Sequence, residues 1–202
     1  MGYPFTLEKI EQGLSFEDYL KETNLRISLL NQNNPYQEYT KLNLVRMNRI
    51  LKTIEISKDF VRVLNQIHEK VYWLLISEPW CGDAANSVPI IAKAALKNPT
   101  ITLRIFLRDS NPEIMEQYLT NNAKSIPILV MLDENLNEVF RWGPRPKELQ
   151  KLVMNMKNSN QFSKEEIIKK TQLWYAEDKS KSIQDELTNL LSTFITSKTT
   201  SS

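Results

Sequence analysis

Residues 71–84 read Val-Tyr-Trp-Leu-Leu-Ile-Ser-Glu-Pro-Trp-Cys-Gly-Asp-Ala. The first six form an unbroken apolar run rich in β-forming side chains, the pattern of a strand buried on both faces, and parallel sheets are where such strands occur. Beyond it, Ala84, Ala85, Val88, Ile90, Ile91, Ala94, Ala95 and Leu96 recur as on a helix. Asn98-Pro99 then stops the helix ahead of a second strand, Ile101–Leu107. Strand, helix and strand make a βαβ unit, which predicts an α/β fold built around a sheet.

Working outward, Ser110, Asn111 and Pro112 open a helix through Tyr118 and Leu119 that Asn121 and Asn122 end. Two strands, Ile128–Leu132 and Leu136–Trp142, flank the turn composition Asp133-Glu134-Asn135, and Gly143-Pro144 closes the sheet. A helix over Pro146–Met156 completes the order β, α, β, α, β, β, α. Upstream lie three helices. One spans 15–33, opened by Ser15 and closed by Asn33, Asn34 and Pro35; the second runs from Tyr36 to about Ile56; the third is capped by Ser57 and reaches Ile67. Downstream, a helical pattern runs from Ser163 to about Phe194 with a break near 179–182, and the Ser/Thr-rich end reads as disordered. The expected organisation is an N-terminal helical extension (1–68), an α/β domain (69–157), a C-terminal helical extension (158–195) and a tail (196–202).

Composition removes several function classes. One cysteine and one histidine in 202 residues cannot make an internal disulfide or the three or four ligands of a usual zinc site. Four glycines argue for helices over a turn-rich β-sandwich. The net charge is +2 with cations and carboxylates interspersed, so there is no electrostatic footprint for nucleic acid. The longest apolar run, Val71–Ile76, is far too short to span a bilayer, and no basic, apolar leader opens the chain, which reads as cytoplasmic with no membrane partner. Met1-Gly2 with Thr6 matches a degenerate N-myristoylation pattern, but Pro4 favours an ordinary frayed terminus.

The chemistry concentrates where the first strand meets its helix. A thiol at a helix N-terminus faces free N–H groups and the positive end of the macrodipole, which can lower its pKa from about 8.5 toward about 7 and make Cys81 a nucleophile. Asp83, one residue further into the helix than Gly82, pulls the other way. It could exchange protons with the thiol, or serve only as a favourable first-turn acid. Trp80 is either a core aromatic or a platform beside the sulfur. Ligands of parallel-strand proteins sit at the carboxyl ends of the strands, so Glu78, Arg108 and Asp109, with Arg141 and Arg145 around Gly143, are rim candidates. Such cations would stabilise a thiolate or receive the carboxylates of a low-molecular-weight thiol, unless they are solvated surface charge. His68 lies at the opposite end of the first strand.

Trp80-Cys81-Gly82-Asp83-Ala84, Pro89 eight residues after the cysteine, and Ile126-Pro127 opening the third strand together resemble the thioredoxin-like superfamily, over about residues 69–157. The Asp in the motif and the flanking helices are similar to a bacterial branch of it. The resemblance implies a central mixed sheet of about four strands with helices on both faces, carrying helical extensions. It implies Cys81 and Asp83 as catalytic residues and Trp80, Gly82, Ile126, Pro127 and Gly143 as substrate-binding ones. Pro127 would be cis and face the thiol, with the Ile126 backbone able to pair with an extended chain. It implies no metal and no cofactor beyond a low-molecular-weight thiol as co-substrate, partners that are protein or small-molecule thiols and disulfides, and self-association through the helical extensions.

Two departures shape the functional expectation. Ala84 stands where the motif carries its resolving cysteine, and Leu74 and Leu75 occupy the strand positions of the buried acid. The chain therefore reads as a monothiol thiol–disulfide oxidoreductase, with Cys81 as nucleophile and a second thiol supplied in trans. The alternative is a redox-inactive binding module that captures a partner chain in the same groove. Iron–sulfur carriage ranks below both, because no second ligand is visible.

Overall fold

A computed structural model describes residues 5–29 and 35–199. Its centre is a mixed four-stranded sheet of β1 (Val71–Ser77), β2 (Ile101–Leu107), β3 (Ile128–Leu132) and β4 (Glu138–Trp142), in the order β2-β1-β3-β4. β1 runs parallel to β2, with Val71 opposite Ile101, and antiparallel to β3, with Leu74 opposite Val130; β4 is antiparallel to β3. Every residue of β1 and β3 is buried, as unbroken apolar runs require. This is the thioredoxin-like α/β architecture with added helices.

Four helices precede the sheet: α1 (Leu7–Glu11), α2 (Phe16–Leu29), α3 (Pro35–Thr53) and α4 (Lys58–Leu64). α5 (Gly82–Ala95) links β1 to β2, the short α6 (Pro112–Met115) follows β2, and α7 (Lys147–Ser159), α8 (Lys164–Asp178) and α9 (Lys181–Thr199) complete the chain. The segment ahead of α2 pairs with the outer edge of β2 at one residue, where Leu14 and Ile105 exchange backbone hydrogen bonds of 2.9 and 2.8 Å. An unpaired sheet edge would otherwise be open to another chain. One buried apolar cluster runs from Phe5 and Tyr19 through the sheet to Leu191 and Phe194, so the flanking helices share the core of the sheet. α9 is tied to the sheet by Glu186, whose carboxylate accepts from Trp142 Nε1 at 2.7 Å and from the Lys147 amide at 2.7 Å.

The structure corrects several sequence expectations. α1 was not anticipated; its five residues are too few for a periodic signal, although Thr6 caps it. Pro35 begins α3 rather than closing α2, using the first-turn position where a missing N–H costs nothing, while residues 33–34 lie outside the described residues. α6 stops at Met115. β4 begins at Glu138, because Leu136 has a left-handed φ of 65° and cannot extend the strand. The expected disordered tail is helical up to Thr199 as the end of α9; residues 200–202 lie outside the described residues, as do Met1 and Gly2 of the myristoylation pattern.

Candidate functional site

Cys81 is the N-cap of α5, in extended conformation at φ −78° and ψ 119°, with its carbonyl accepting from the Ala85 amide at 3.0 Å. Its side chain is turned inward and the residue is 8% exposed. The thiol donates to the Ile126 carbonyl at 3.4 Å, and the Ile126–Pro127 peptide is cis. Burial pushes the Cys81 thiol up to about 12, and the Asp83 carboxylate adds to the rise; the amides of Ala84 and Asp83 and the charge of Arg145 pull down without overcoming it. Desolvation thus decides the contest between helix dipole and neighbouring acid that sequence leaves open.

Asp83 is buried at 8% exposure. Arg145 clasps it through two bonds, Nε to Oδ1 at 2.9 Å and Nη2 to Oδ2 at 2.6 Å, and Tyr175 of α8 donates to Oδ1 at 3.1 Å. Burial raises the carboxyl above its ordinary value, while Arg145 and Tyr175 work in the opposite direction. Burial also works against the charge of Arg145, but Asp83 outweighs it and holds the guanidinium above its ordinary value. Bidentate geometry of this kind makes the pair a positioning device as much as a charge pair.

Gly143 supports the opposite wall. Its φ is +115°, and a side chain there would collide with the Pro127 carbonyl, so only glycine fits behind the Pro127 peptide. Gly143→Ala is expected to cost about 1–3 kcal/mol through backbone strain alone. A thermal melt unchanged from wild type would refute this placement.

The helical extensions reach the motif loop directly. From α3, Asn43 Nδ2 donates to the Pro79 carbonyl at 3.0 Å, and Arg46 Nη1 donates to Asn43 Oδ1 at 2.9 Å. From α8, Gln172 Nε2 donates to the Gly82 carbonyl at 3.3 Å while its Oε1 accepts from Asn86 at 3.0 Å. Trp80 is half-buried, with Tyr36 of α3 at 5.0 Å between ring centroids and the Arg108 guanidinium 4.6 Å from its own ring centroid. Its ring is tilted by 37° against that of Tyr36, and it borders the same space as Cys81. Between α3, α8 and the loop lies a groove of about 640 Å³, lined by Tyr39, Leu42, Trp80, Cys81 and Ile126 among others.

The remaining candidates separate. Glu78 is fully buried at the end of β1, where its carboxylate accepts from Arg26 at 2.9 Å and from the Asp109 amide at 2.9 Å. Burial raises its pKa against those two partners. Arg108 and Asp109 pair with each other. Arg141 pairs with Glu138 and lies over Tyr118, outside the groove. Arg145 is no solvated surface charge, since it is held inside by Asp83. His68 is exposed and precedes β1. Arg46, Gln172 and Tyr175 escape sequence reasoning, because they come from helices remote in sequence and carry no local motif. Among the described residues no three His, Cys, Asp or Glu side chains cluster as metal ligands, and no helix is long and apolar enough to cross a membrane.

Comparison with known proteins agrees with this fold. A structure of a protein of unknown function from Pseudomonas aeruginosa is similar over 86% of this chain and 98% of its own, with a TM-score of 0.54 and 18% identity. An HIV epitope scaffold is similar over 94% of both chains, with a TM-score of 0.56 and 16% identity. At such identities the likeness concerns the fold. No curated protein matches the sequence. The thioredoxin family model matches residues 29–160, which takes in the α3 and α4 helices as well as the sheet and motif. With that match spanning well over half of the chain, this protein belongs to the thioredoxin family.

Proposed function

We propose that this chain is a thioredoxin-fold binding module whose groove beside Cys81 holds its ligand non-covalently, without thiol–disulfide turnover. The observation that carries the reading is the state of the sulfur. Cys81 is buried, donates its proton to Ile126, and has its pKa pushed up to about 12, so at neutral pH it is a thiol rather than a nucleophilic thiolate. The absence of a second cysteine agrees, because nothing within the chain could resolve a mixed disulfide. Capture of an extended chain by strand pairing is disfavoured. Ile126 is only 5% exposed and its carbonyl is already engaged by the thiol.

A second reading, monothiol exchange, is favoured by one observation: Cys81 lines the groove at the N-terminus of α5, where the backbone amides of Ala84 and Asp83 work to lower the thiol's pKa. In that reaction the Cys81 thiolate attacks a disulfide, forms a mixed disulfide and expels one thiolate. A thiol supplied in trans then attacks the mixed disulfide and returns Cys81 to the thiolate. Reduced protein incubated with glutathione disulfide near neutral pH separates the two readings by intact mass. Binding without turnover predicts no adduct, and binding of the neutral dye N-phenyl-1-naphthylamine that changes less than about twofold in Cys81→Ser. A glutathione adduct on Cys81 within minutes would establish exchange instead.

A further inference from the structure

The charges around the groove are one-sided. Its cationic lining consists of Arg46, Arg108, Lys124, Arg145, Lys157 and Lys164, against the single carboxylate of Asp83. Three of these cations are already committed, Arg108 to Asp109, Lys124 to Glu116 and Arg145 to Asp83. Arg46, Lys157 and Lys164 have no carboxylate within ion-pair distance among the described residues. Lys157 and Lys164 are exposed and can be solvated, but Arg46 is half-buried. Its guanidinium donates to the neutral Asn43 side chain, and burial, with Arg49 nearby, lowers its pKa. A partly desolvated guanidinium without a counter-charge is uncommon, because burying an unpaired charge costs more than leaving it in water.

Its position gives that charge a use. Arg46 Nη1 and Gln172 Nε2 converge over Gly82, 3.9 and 3.0 Å from where a β-carbon would stand, next to Cys81. The guanidinium presents a planar set of donors suited to a carboxylate or phosphate. Beside it are the apolar faces of Tyr39, Leu42, Trp80 and Ile168. The volume of about 640 Å³ lies in the range of small-molecule sites.

We infer that the groove is a site for a small molecule with an apolar body and a carboxylate, phosphate or sulfonate group, the anion seated on Arg46 above Gly82 and the body against Trp80. The inference rests on the non-covalent reading of the groove and adds the ligand's charge and size to it.

Two dyes of nearly the same apolar body test it: 8-anilinonaphthalene-1-sulfonate carries an anion, and N-phenyl-1-naphthylamine does not. Full-length protein is expected to bind the sulfonate more tightly than the neutral dye by about tenfold, with affinity falling as salt rises. Arg46→Gln should remove about that tenfold from the sulfonate and leave the neutral dye unchanged. Arg46→Lys, which keeps the charge, should retain part of it, and Arg49→Gln on the exposed side of the same helix should change neither. If Arg46→Gln leaves sulfonate binding intact, or both dyes bind wild type equally, the anion site is overturned while the groove stands. If Trp80→Ala leaves the binding of both dyes unchanged, or neither dye binds, the groove reading fails with it.

Discussion

Iodoacetamide is expected to label Cys81 in the folded chain about a thousandfold or more slowly than in the urea-unfolded chain near pH 7.5. With the thiol pushed up to about 12, the folded protein exposes thiolate at about one part in 10⁴–10⁵, where an ordinary cysteine is ionised to about one part in ten. The same shift makes stability depend on pH. Below the unfolded cysteine's pKa of about 8.5 both states hold the proton and the contribution is complete; above it the unfolded chain ionises first, and about 1.4 kcal/mol is lost per pH unit up to the folded pKa. Cys81→Ser should abolish the slope between about pH 8.5 and 10, below the range where the buried hydroxyls of Tyr19 and Tyr175 add their own. Asp83→Asn removes the second largest contribution to the rise and frees the charge of Arg145, so labelling should quicken by about tenfold or more while remaining slower than in the unfolded chain. Equal rates in the folded and unfolded states would show that the sulfur is neither covered nor held protonated.

Arg145→Met is expected to destabilise the fold by about 3–5 kcal/mol, read from the midpoint of a urea transition. The mechanism is the carboxylate left behind. Asp83 would lose both arms of its bidentate partner while still 8% exposed, retaining Tyr175. It would then bear an uncompensated buried charge or take up a proton. The deficit should therefore shrink on lowering the pH toward about 5, where protonation relieves it, and in Asp83→Asn/Arg145→Met, where no charge remains to strand. A loss of under about 1 kcal/mol, with no recovery in the double variant, would place the pair among surface bridges of little weight.

What could be read in the sequence followed the range of the interaction involved. β1 is legible because six consecutive apolar residues need no neighbours to declare themselves, and α5 because its apolar side chains recur at helical spacing ahead of Asn98-Pro99. The motif Trp80–Ala84 and Pro127 are linked in the sequence only by the resemblance to the thioredoxin-like superfamily, and the structure places Cys81 against Ile126 across 45 residues. The sign of the cysteine's shift is not legible. It depends on how far tertiary packing excludes water from the sulfur, which no pentapeptide contains. Arg46, Gln172 and Tyr175 were missed for the same reason: on their own helices they read as ordinary polar positions, and only tertiary placement brings them to Gly82 and Asp83. The smaller misreadings are conformational. Leu136 enters the left-handed region inside a β-like run, and α6 ends after one turn.

Asn43 on the Pro79 carbonyl and Gln172 on the Gly82 carbonyl lash two helices, one from each helical extension of the chain, to the loop that carries the sulfur. Cys81 is 8% exposed, so its sulfur is expected to react fastest when that lashing loosens. Where reclosing outpaces reaction, the ratio of native to unfolded labelling rates, corrected for thiolate fraction, becomes an equilibrium constant for local opening. The single cysteine is then a built-in gauge of a partial unfolding event. A small molecule lodged between α3 and α8 would register on that gauge as slower labelling, whatever its chemistry and without any label of its own.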